Sequence, residues 1–276
     1  MALAFAAAST TSGCATAEGA TVRTAPATAG TAEPIGLVGL WDVSDADGER
    51  EGTRLRLGGG ELELLRECGT LGGWWRAGER AVIAHVDSAS GDCVTSSSHE
   101  VGWLDAMAAY RAIDDGWQLL DADGEVVASL TAAPVPETND PQTGSFAAAP
   151  VSEETAHVLF TDPPPLPAAL TPASSGDLIG RWEPVGISAP TEPHVVFLAS
   201  GTWDGSDGCN SLHGRWIFED DGDLLTTAGG STDAGCEGSL APYWVMGARL
   251  AGFDGDELVL LDDAGGELGR LVRADP

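Results

Sequence analysis

One unit occurs twice in this sequence, and the second copy follows the first at a constant offset of 141 residues. Tryptophan, cysteine and glycine positions match across the copies, which chance does not sustain at a single offset. The matched pairs are Trp41 and Trp182, Cys68 and Cys209, Gly73 and Gly214, Trp75 and Trp216, Trp103 and Trp244, and Gly124 and Gly265. We therefore expect two domains of about 100 residues each, over residues 36–133 and 177–276.

Short segments inside the copies predict antiparallel strands: residues 54–57 and 61–64 alternate, residues 81–86 are an apolar run bounded by polar residues, and two more segments flank a hairpin turn. In the first copy the predicted strands are residues 54–57, 61–64, 81–86, 116–120 and 125–130. Residues 121–124 read Asp-Ala-Asp-Gly, which is typical of a hairpin turn. Residues 98–111 instead place Trp103, Met107 and Tyr110 at helical spacing. The pattern predicts a mostly β (α+β) fold: two tandem antiparallel β-sheet or barrel-like domains, each with one short packed helix.

Three stretches lack the composition of a folded domain. Residues 1–14 form a short apolar leader, and residues 15–35 hold almost no large apolar side chain, which predicts a flexible tether. Residues 134–176 carry closely spaced prolines, which predict an extended and moderately stiff interdomain linker. Within this linker, residues 157–160 are apolar enough to add to a neighbouring sheet as an edge strand.

The leader ends at Cys14 in a way that resembles a bacterial lipoprotein signal peptide. In that class the peptide is cut before the cysteine and the thiol is acylated, so the membrane partner would be reached through lipid on Cys14. Two features depart from the pattern, because Thr11 stands where leucine is usual and no Arg or Lys precedes Arg23. The alternative is a disordered leader with a stray cysteine.

The charge of the chain excludes one class of partner. The formal net charge is −30, and all 13 basic residues are arginine. A surface this acidic repels phosphate backbones and anionic headgroups, so we expect no nucleic-acid binding. The Asp-rich turns at 45–49 and 220–223 lack the sixth-position Gly and twelfth-position Glu of a calcium loop. We interpret them as hairpin turns and predict no metal and no cofactor.

Four of the five cysteines divide evenly between the copies. Cys68 and Cys209 match in register, and each is followed by one cysteine, Cys93 or Cys236, with a two-residue insertion in the second copy. Pairing Cys68 with Cys93 and Cys209 with Cys236 is the economical arrangement, and it predicts an oxidising compartment. Closing a loop of about 25 residues would stabilise each domain by about 3–4 kcal/mol. A catalytic or redox thiol is the competing interpretation.

A compact motif surrounds the first cysteine of the second copy. Its residues are Gly208, Cys209, Asn210, Gly214 and Trp216, with Ser231-Thr232 ahead of Cys236. Together with the opening Gly180-x-Trp182 and the closing Leu258-x-Leu260, this motif resembles the META/HslJ-like domain family over residues 177–273. The first copy has Glu67-Cys68-Gly69 at the corresponding place and is assigned to the family through the repeat alone.

The resemblance implies a compact antiparallel β domain with a packed helix, typical of secreted or lipid-anchored proteins of the bacterial envelope. The family is associated with stress or antibiotic tolerance, and no agreed catalytic activity comes with it. Within the motif, Asn210 is either a ligand contact or a residue that closes a turn.

The function suggested by these features is binding rather than catalysis. The chain contains none of the common hydrolase, metalloprotease or phosphate-loop motifs. Trp74, Trp117 and Trp203 have no counterpart in the other copy, so one of them could line a binding surface. The leading hypothesis is a monomeric, non-enzymatic, extracytoplasmic lipoprotein with a binding or scaffolding role. The alternatives are an envelope hydrolase with paired carboxylates in an interdomain cleft, and a structural spacer.

Overall fold

The computed structural model describes residues 24–26, 32–94, 100–134, 151–187, 192–231 and 239–274. Within these ranges the protein is mostly β and contains two antiparallel sheets, one of which curls into a half-barrel. A short helix packs against each sheet. The predicted fold class is confirmed.

The first sheet has eight strands in the described part of the chain. They are β1 (Gly39–Ser44), β2 (Arg54–Leu57), β3 (Glu61–Arg66), β4 (Gly69–Ala77), β5 (Val82–Ala89), β6 (Ala109–Ile113), β7 (Gly116–Leu120) and β8 (Val126–Ala132). Single 3-10 turns lie at Pro34–Leu37 and Gly91–Cys93, and helix α1 (Gly102–Ala106) connects β5 to β6. The strand order is β5-β4-β3-β2-β1-β8-β7-β6, so α1 carries the chain from one edge to the other.

The second sheet, within the same described ranges, has nine strands. They are β9 (Thr171–Pro172), β10 (Gly180–Pro184), β11 (His194–Phe197), β12 (Thr202–Ser206), β13 (Ser211–Phe218), β14 (Leu224–Thr226), β15 (Leu250–Asp254), β16 (Glu257–Leu261) and β17 (Glu267–Arg273). The remaining helices are α2 (Glu153–Phe160), α3 (Ser175–Leu178) and α4 (Ala241–Gly247). The strand order is β14-β13-β12-β11-β10-β17-β16-β15-β9.

The two sheets have one topology, apart from the added edge strand β9. Five strands of the first sheet begin at Gly39, Glu61, Ala109, Gly116 and Val126, and their counterparts begin 141 residues later at Gly180, Thr202, Leu250, Glu257 and Glu267. A side-chain hydrogen bond is repeated as well. Trp41 Nε1 donates to the Leu37 carbonyl at 2.8 Å, and Trp182 Nε1 donates to the Leu178 carbonyl at 2.7 Å. The repeat in sequence is thus accompanied by a repeat in structure.

The helix expected over residues 98–111 is much shorter than predicted. Residues 102–106 form α1, and the chain then enters β6, where Ala109 pairs with Leu120. The buried hydroxyl of Tyr110 lies 2.7 Å from the Gly78 carbonyl, an acceptor provided by the turn after β4. Backbone pairing with β7 and this buried hydrogen bond hold the segment extended, and they outweigh the helical spacing of its side chains.

Within the predicted linker, the described residues 151–176 include a helix and an edge strand. The edge strand expected over residues 157–160 is wrong, because these residues end helix α2. Ser152 caps this helix by accepting the N–H of Thr155 at 3.0 Å. The ring of Phe160 packs 5.5 Å from the ring of Trp75, which attaches α2 to the first domain.

An edge strand does occur later in the same segment. Strand β9 pairs with β15, and Leu166 and Leu170 pack against the small apolar cluster of Leu250, Val259 and Leu261. Residues 166–172, which fall in the predicted linker, therefore pack with the second sheet.

Candidate functional site

Cys68 and Cys93 form a disulfide in the first domain, as predicted. This bond ties the turn between β3 and β4 to the turn after β5, where the Cys93 N–H also donates to the Cys68 carbonyl at 3.2 Å. Cys209 is disulfide-bonded as well. Cys236 and the lipidation candidate Cys14 lie outside the described residues, so the Cys209–Cys236 pair and the lipid anchor stay predictions.

The motif around Cys209 in the second domain, residues 208–210, forms a tight turn between β12 and β13. Gly208 has a φ of 100°, a conformation that favours glycine. Asp207 Oδ1 accepts the N–H groups of Cys209 at 2.7 Å and Asn210 at 2.6 Å, while Asn210 Nδ2 donates to Asp207 Oδ2 at 3.1 Å. Burial opposes the charge on Asp207, but these hydrogen bonds prevail and lower its pKa. The Asn210 side chain therefore takes part in closing the turn.

The other two motif residues shape the core. A Cβ added at Gly214 would collide with the Thr227 carbonyl, the same oxygen that accepts Trp203 Nε1 at 2.9 Å. Trp216 is buried and meets Phe197 edge-on at 5.5 Å. Turn and core functions account for the positions of all five motif residues that the structure describes.

The tryptophans without a counterpart lie in three different environments. Trp203 is 0% exposed, so the structure rules out a role for it on a binding surface. Trp117 is half-buried and packs 5.6 Å from Tyr110. Trp74 is 43% exposed and donates from Nε1 to Asp87 at 3.1 Å, which leaves it as the member of this set that faces solvent.

An open groove of about 1120 Å³ lies at one end of the first domain, beside the disulfide. It is lined by residues 48–54, 65–70 and 92. Its rim carries the exposed ion pair between Arg50 and Glu67, whose closest atoms are 3.4 Å apart. Charges of both signs therefore surround the opening, in a chain that is strongly acidic as a whole.

A buried carboxylate holds this groove in shape. The side chain of Glu49 is 4% exposed and forms an ion pair with Arg66. It also accepts Trp103 Nε1 at 2.9 Å and the hydroxyl of Thr53 at 3.2 Å. Glu49 thus attaches the loop after β1 to both α1 and β3. Sequence reasoning missed this residue, because an Asp-rich turn gives no sign that one of its acidic side chains points inward.

The two sheets meet through the tips of equivalent hairpins, residues 78–81 between β4 and β5 and residues 219–223 between β13 and β14. We call this contact the junction. Glu219 is 4% exposed, and its Oε1 accepts the backbone N–H groups of Arg80 and Ala81, each at 2.6 Å. Arg80 in turn donates to the Glu219 carbonyl at 3.0 Å and pairs with Asp220 at 2.6 Å. These hydrogen bonds and this ion pair therefore connect the two domains.

The junction is approximately two-fold symmetric. Gly78 and Glu219 occupy the same position in the two copies, and a Cβ added at Gly78 would collide with the Glu219 carboxylate. Ala81 and Asp223 are equivalent as well, since each closes its hairpin and forms an isolated bridge, Ala81 to Ala109 and Asp223 to Leu250. Contact between equivalent patches is the geometry of a symmetric dimer, realised here within one chain.

Further contacts surround the hairpin tips. Buried Arg215 of the second domain pairs with Asp105 of the first at 3.0 Å, and the rings of His85 and His213 meet at 4.9 Å. A small apolar cluster joins both domains and contains Ala25, Ala81, Ile83, Ala108, Ile217 and Leu225. The junction therefore combines apolar packing with buried charge.

Charged groups at the junction have shifted pKa values. Burial, then the proximity of Glu219, raises the pKa of Asp223 to about 7. Burial, then the proximity of Arg249, lowers the pKa of Arg76 to about 10. Burial also raises the pKa of Glu219, although the N–H groups of Ala81 and Arg80 oppose this shift.

No group of His, Cys, Asp or Glu within the described residues is arranged to hold a metal ion. No described helix has the length and apolar character needed to cross a membrane. In comparisons with known proteins, no protein-family model, curated protein or solved structure matches this chain.

Proposed function

We propose that this chain is a non-enzymatic binding or scaffolding protein of the bacterial cell envelope, with two META-like domains and a lipid anchor on Cys14. The disulfide between Cys68 and Cys93 supports the location, since such bonds persist in oxidising compartments outside the cytoplasm. A role in stress tolerance is what the family resemblance of the second copy adds to this proposal.

The groove of the first domain is the observation that carries the binding role. Its floor is formed before any ligand arrives, because Glu49 is already held by Arg66, Trp103 and Thr53. A preformed site loses less conformational freedom on binding than a loose loop does. Because charges of both signs line the groove, it suits a small polar ligand better than a lipid tail or a polyanion.

A thermal-shift screen with amino acids, sugars and short peptides tests this proposal. At least one of these compounds should raise the melting temperature of the wild type and have no effect on Arg50→Ala. The Arg50 side chain is 84% exposed, so its removal leaves the core intact. Arg181→Ala, which breaks a surface pair in the second domain, is the matched control and should keep the shift. A screen without any shift, or a shift unaffected by Arg50→Ala, would contradict groove binding.

The anchor has a separate test. Expressed in its native host, the wild type should fractionate with membranes, and Cys14→Ser should be released into the soluble fraction. A Cys14→Ser protein that stays bound to the cells would remove the anchor from the proposal while leaving the groove untouched.

One observation favours the alternative of an envelope hydrolase. Glu219 and Asp223 are carboxylates close together between the domains, and the pKa of Asp223 is raised to about 7. Against this, Glu219 Oε1 already accepts two backbone N–H groups. Hydrolysis of glycoside or ester substrates by the wild type, lost in Asp223→Asn while folding is retained, would favour the enzyme over the binding protein.

A further inference from the structure

The two domains are held together at the junction by a few hydrogen bonds in a buried acidic environment. We call the hydrogen bonds between Glu219 and the N–H groups of Arg80 and Ala81 the clasp. Glu219 provides the acceptor for two N–H groups of the opposite domain. Asp223, four residues further along the same hairpin, has an Oδ1 atom that is buried and has no hydrogen-bond partner among the described residues. An unpartnered buried acceptor is costly, and more so when it carries a charge.

Four charged groups face Asp223 from the surrounding elements. Glu219 and Asp220 belong to its own hairpin, Arg249 precedes β15, and Asp162 follows α2. Arg249 favours the ionised form of Asp223, whereas the three acidic groups and burial disfavour it. Buried Arg249 has Nε and Nη1 atoms without partners in the described structure, so it does not neutralise Asp223 by a direct hydrogen bond through these atoms.

We propose that the junction is a pH-dependent clasp, closed when Asp223 is protonated and loosened when Asp223 is ionised. In the closed form Glu219 accepts the N–H groups of Arg80 and Ala81, and a neutral Asp223 adds no charge beside it. Ionisation places a second negative charge beside Glu219 on the same hairpin. Opening the contact does not part these two carboxylates, but it admits water, which hydrates the new charge and screens the repulsion. Ionisation therefore favours separation of the two hairpin tips.

The direction of the pH dependence follows from the higher pKa of Asp223 in the closed form. The pKa of Asp223 is about 7 when the junction is closed, and near 4 for a solvated aspartate. Between these values the closed form binds more protons than the open form, so raising the pH across this window weakens the junction. Below the window the full stabilisation is present, and above it no further loss occurs.

The consequence is a change in how freely the two domains move. Loosening the hairpin tips exposes the shared cluster around Ile83, Ala108 and Ile217, and leaves each domain with its own core. If the protein lies outside the cytoplasm as proposed, the external pH acts on Asp223 directly.

Amide hydrogen exchange of the intact protein tests the clasp, because the N–H groups of Arg80 and Ala81 are the ones that it protects. After correction for the intrinsic pH dependence of exchange, their protection should fall about a hundredfold between pH 5 and pH 8. Amides in the sheet centres, such as those of Leu62 and Leu258, serve as internal controls and should not share this fall.

Two variants make the assignment specific. Asp223→Asn keeps the shape of the neutral acid and should hold protection of the Arg80 and Ala81 amides constant within about threefold across the same range. Asp221→Asn, on the exposed side of the same turn, should behave like the wild type. Protection in the wild type that does not change with pH would overturn the proposal. A hundredfold fall in protection that persists in Asp223→Asn would also overturn it. If that variant does not fold, the pH dependence of protection at the Arg80 and Ala81 amides of the wild type decides the question.

Discussion

Replacing Glu219 with alanine should destabilise the protein by disconnecting the two domains. Glu219 Oε1 accepts the N–H groups of Arg80 and Ala81 at 2.6 Å each, and an alanine side chain provides an acceptor for neither of them. Leaving a buried N–H without a partner costs about 1–3 kcal/mol, so two such groups cost about 2–6 kcal/mol. Burial disfavours the charged form of Glu219 and raises its pKa, so removing this carboxylate offsets part of the lost stability. We expect a net loss of about 2–4 kcal/mol.

Urea unfolding followed by tryptophan fluorescence measures this loss. Two controls test the reasoning. Glu219→Gln keeps an oxygen acceptor and should lose less than half as much as Glu219→Ala. Asp220→Ala removes a 77% exposed partner of Arg80, and should cost less than about 1 kcal/mol. Equal losses in Glu219→Ala and Asp220→Ala, or no loss in either, would refute the role of the buried acceptor.

Three further changes should affect stability. Replacing Cys68 and Cys93 together by serine should lower the free energy of unfolding by about 3.5 kcal/mol, the chain-entropy value for their separation of 25 residues; urea unfolding without reductant measures it, and an unchanged midpoint would contradict it. Glu49→Gln should cost about 2–3 kcal/mol in the same assay, because charge-assisted hydrogen bonds are lost. Gly214→Ala should cost about 2–3 kcal/mol through steric overlap, and Gly230→Ala, with open space around it, should leave the melting temperature unchanged.

The β fold is predictable from the sequence because its strongest determinants are local. Alternation of apolar and polar residues predicts β2, and the strand predicted ahead of the Asp-Ala-Asp-Gly turn is β7; both have the observed bounds. The recurrence of Trp41 and Trp182 indicates a repeated core, and both residues make the same hydrogen bond in their own copy. Cys68 and Cys93 are predicted as partners because the repeat assigns one pair to each copy.

The segments that sequence reasoning missed depend on tertiary contacts. Helix α2 lies where prolines suggest a linker, and it is held by Phe160 packing on Trp75. Trp203 looks free for a surface role because the other copy lacks it, but its indole N–H is needed inside the core. These outcomes are set by neighbours that are 85 and 24 residues away along the chain, which local patterns do not contain.

The junction was also beyond sequence reasoning, for a related reason. Glu219 and Asp223 lie in an Asp-rich stretch that is typical of an exposed hairpin, but Glu219 is buried and accepts backbone N–H groups of the other copy. One trace is visible in the sequence: the position in the first copy that matches Glu219 is Gly78, and the structure makes Ala81 the counterpart of Asp223. A difference between copies at the same turn indicates where two repeated domains have adapted to each other.

The central claim is that one ancestral unit occurs twice and that each copy contains its own disulfide. Mass spectrometry of unreduced, proteolysed protein isolated from its native host tests it most directly. We predict one linked peptide pair containing Cys68 and Cys93, a second containing Cys209 and Cys236, and a diacylglyceryl group on the peptide of Cys14. A peptide that links Cys209 to Cys14 or to a cysteine of the first copy would contradict the claim.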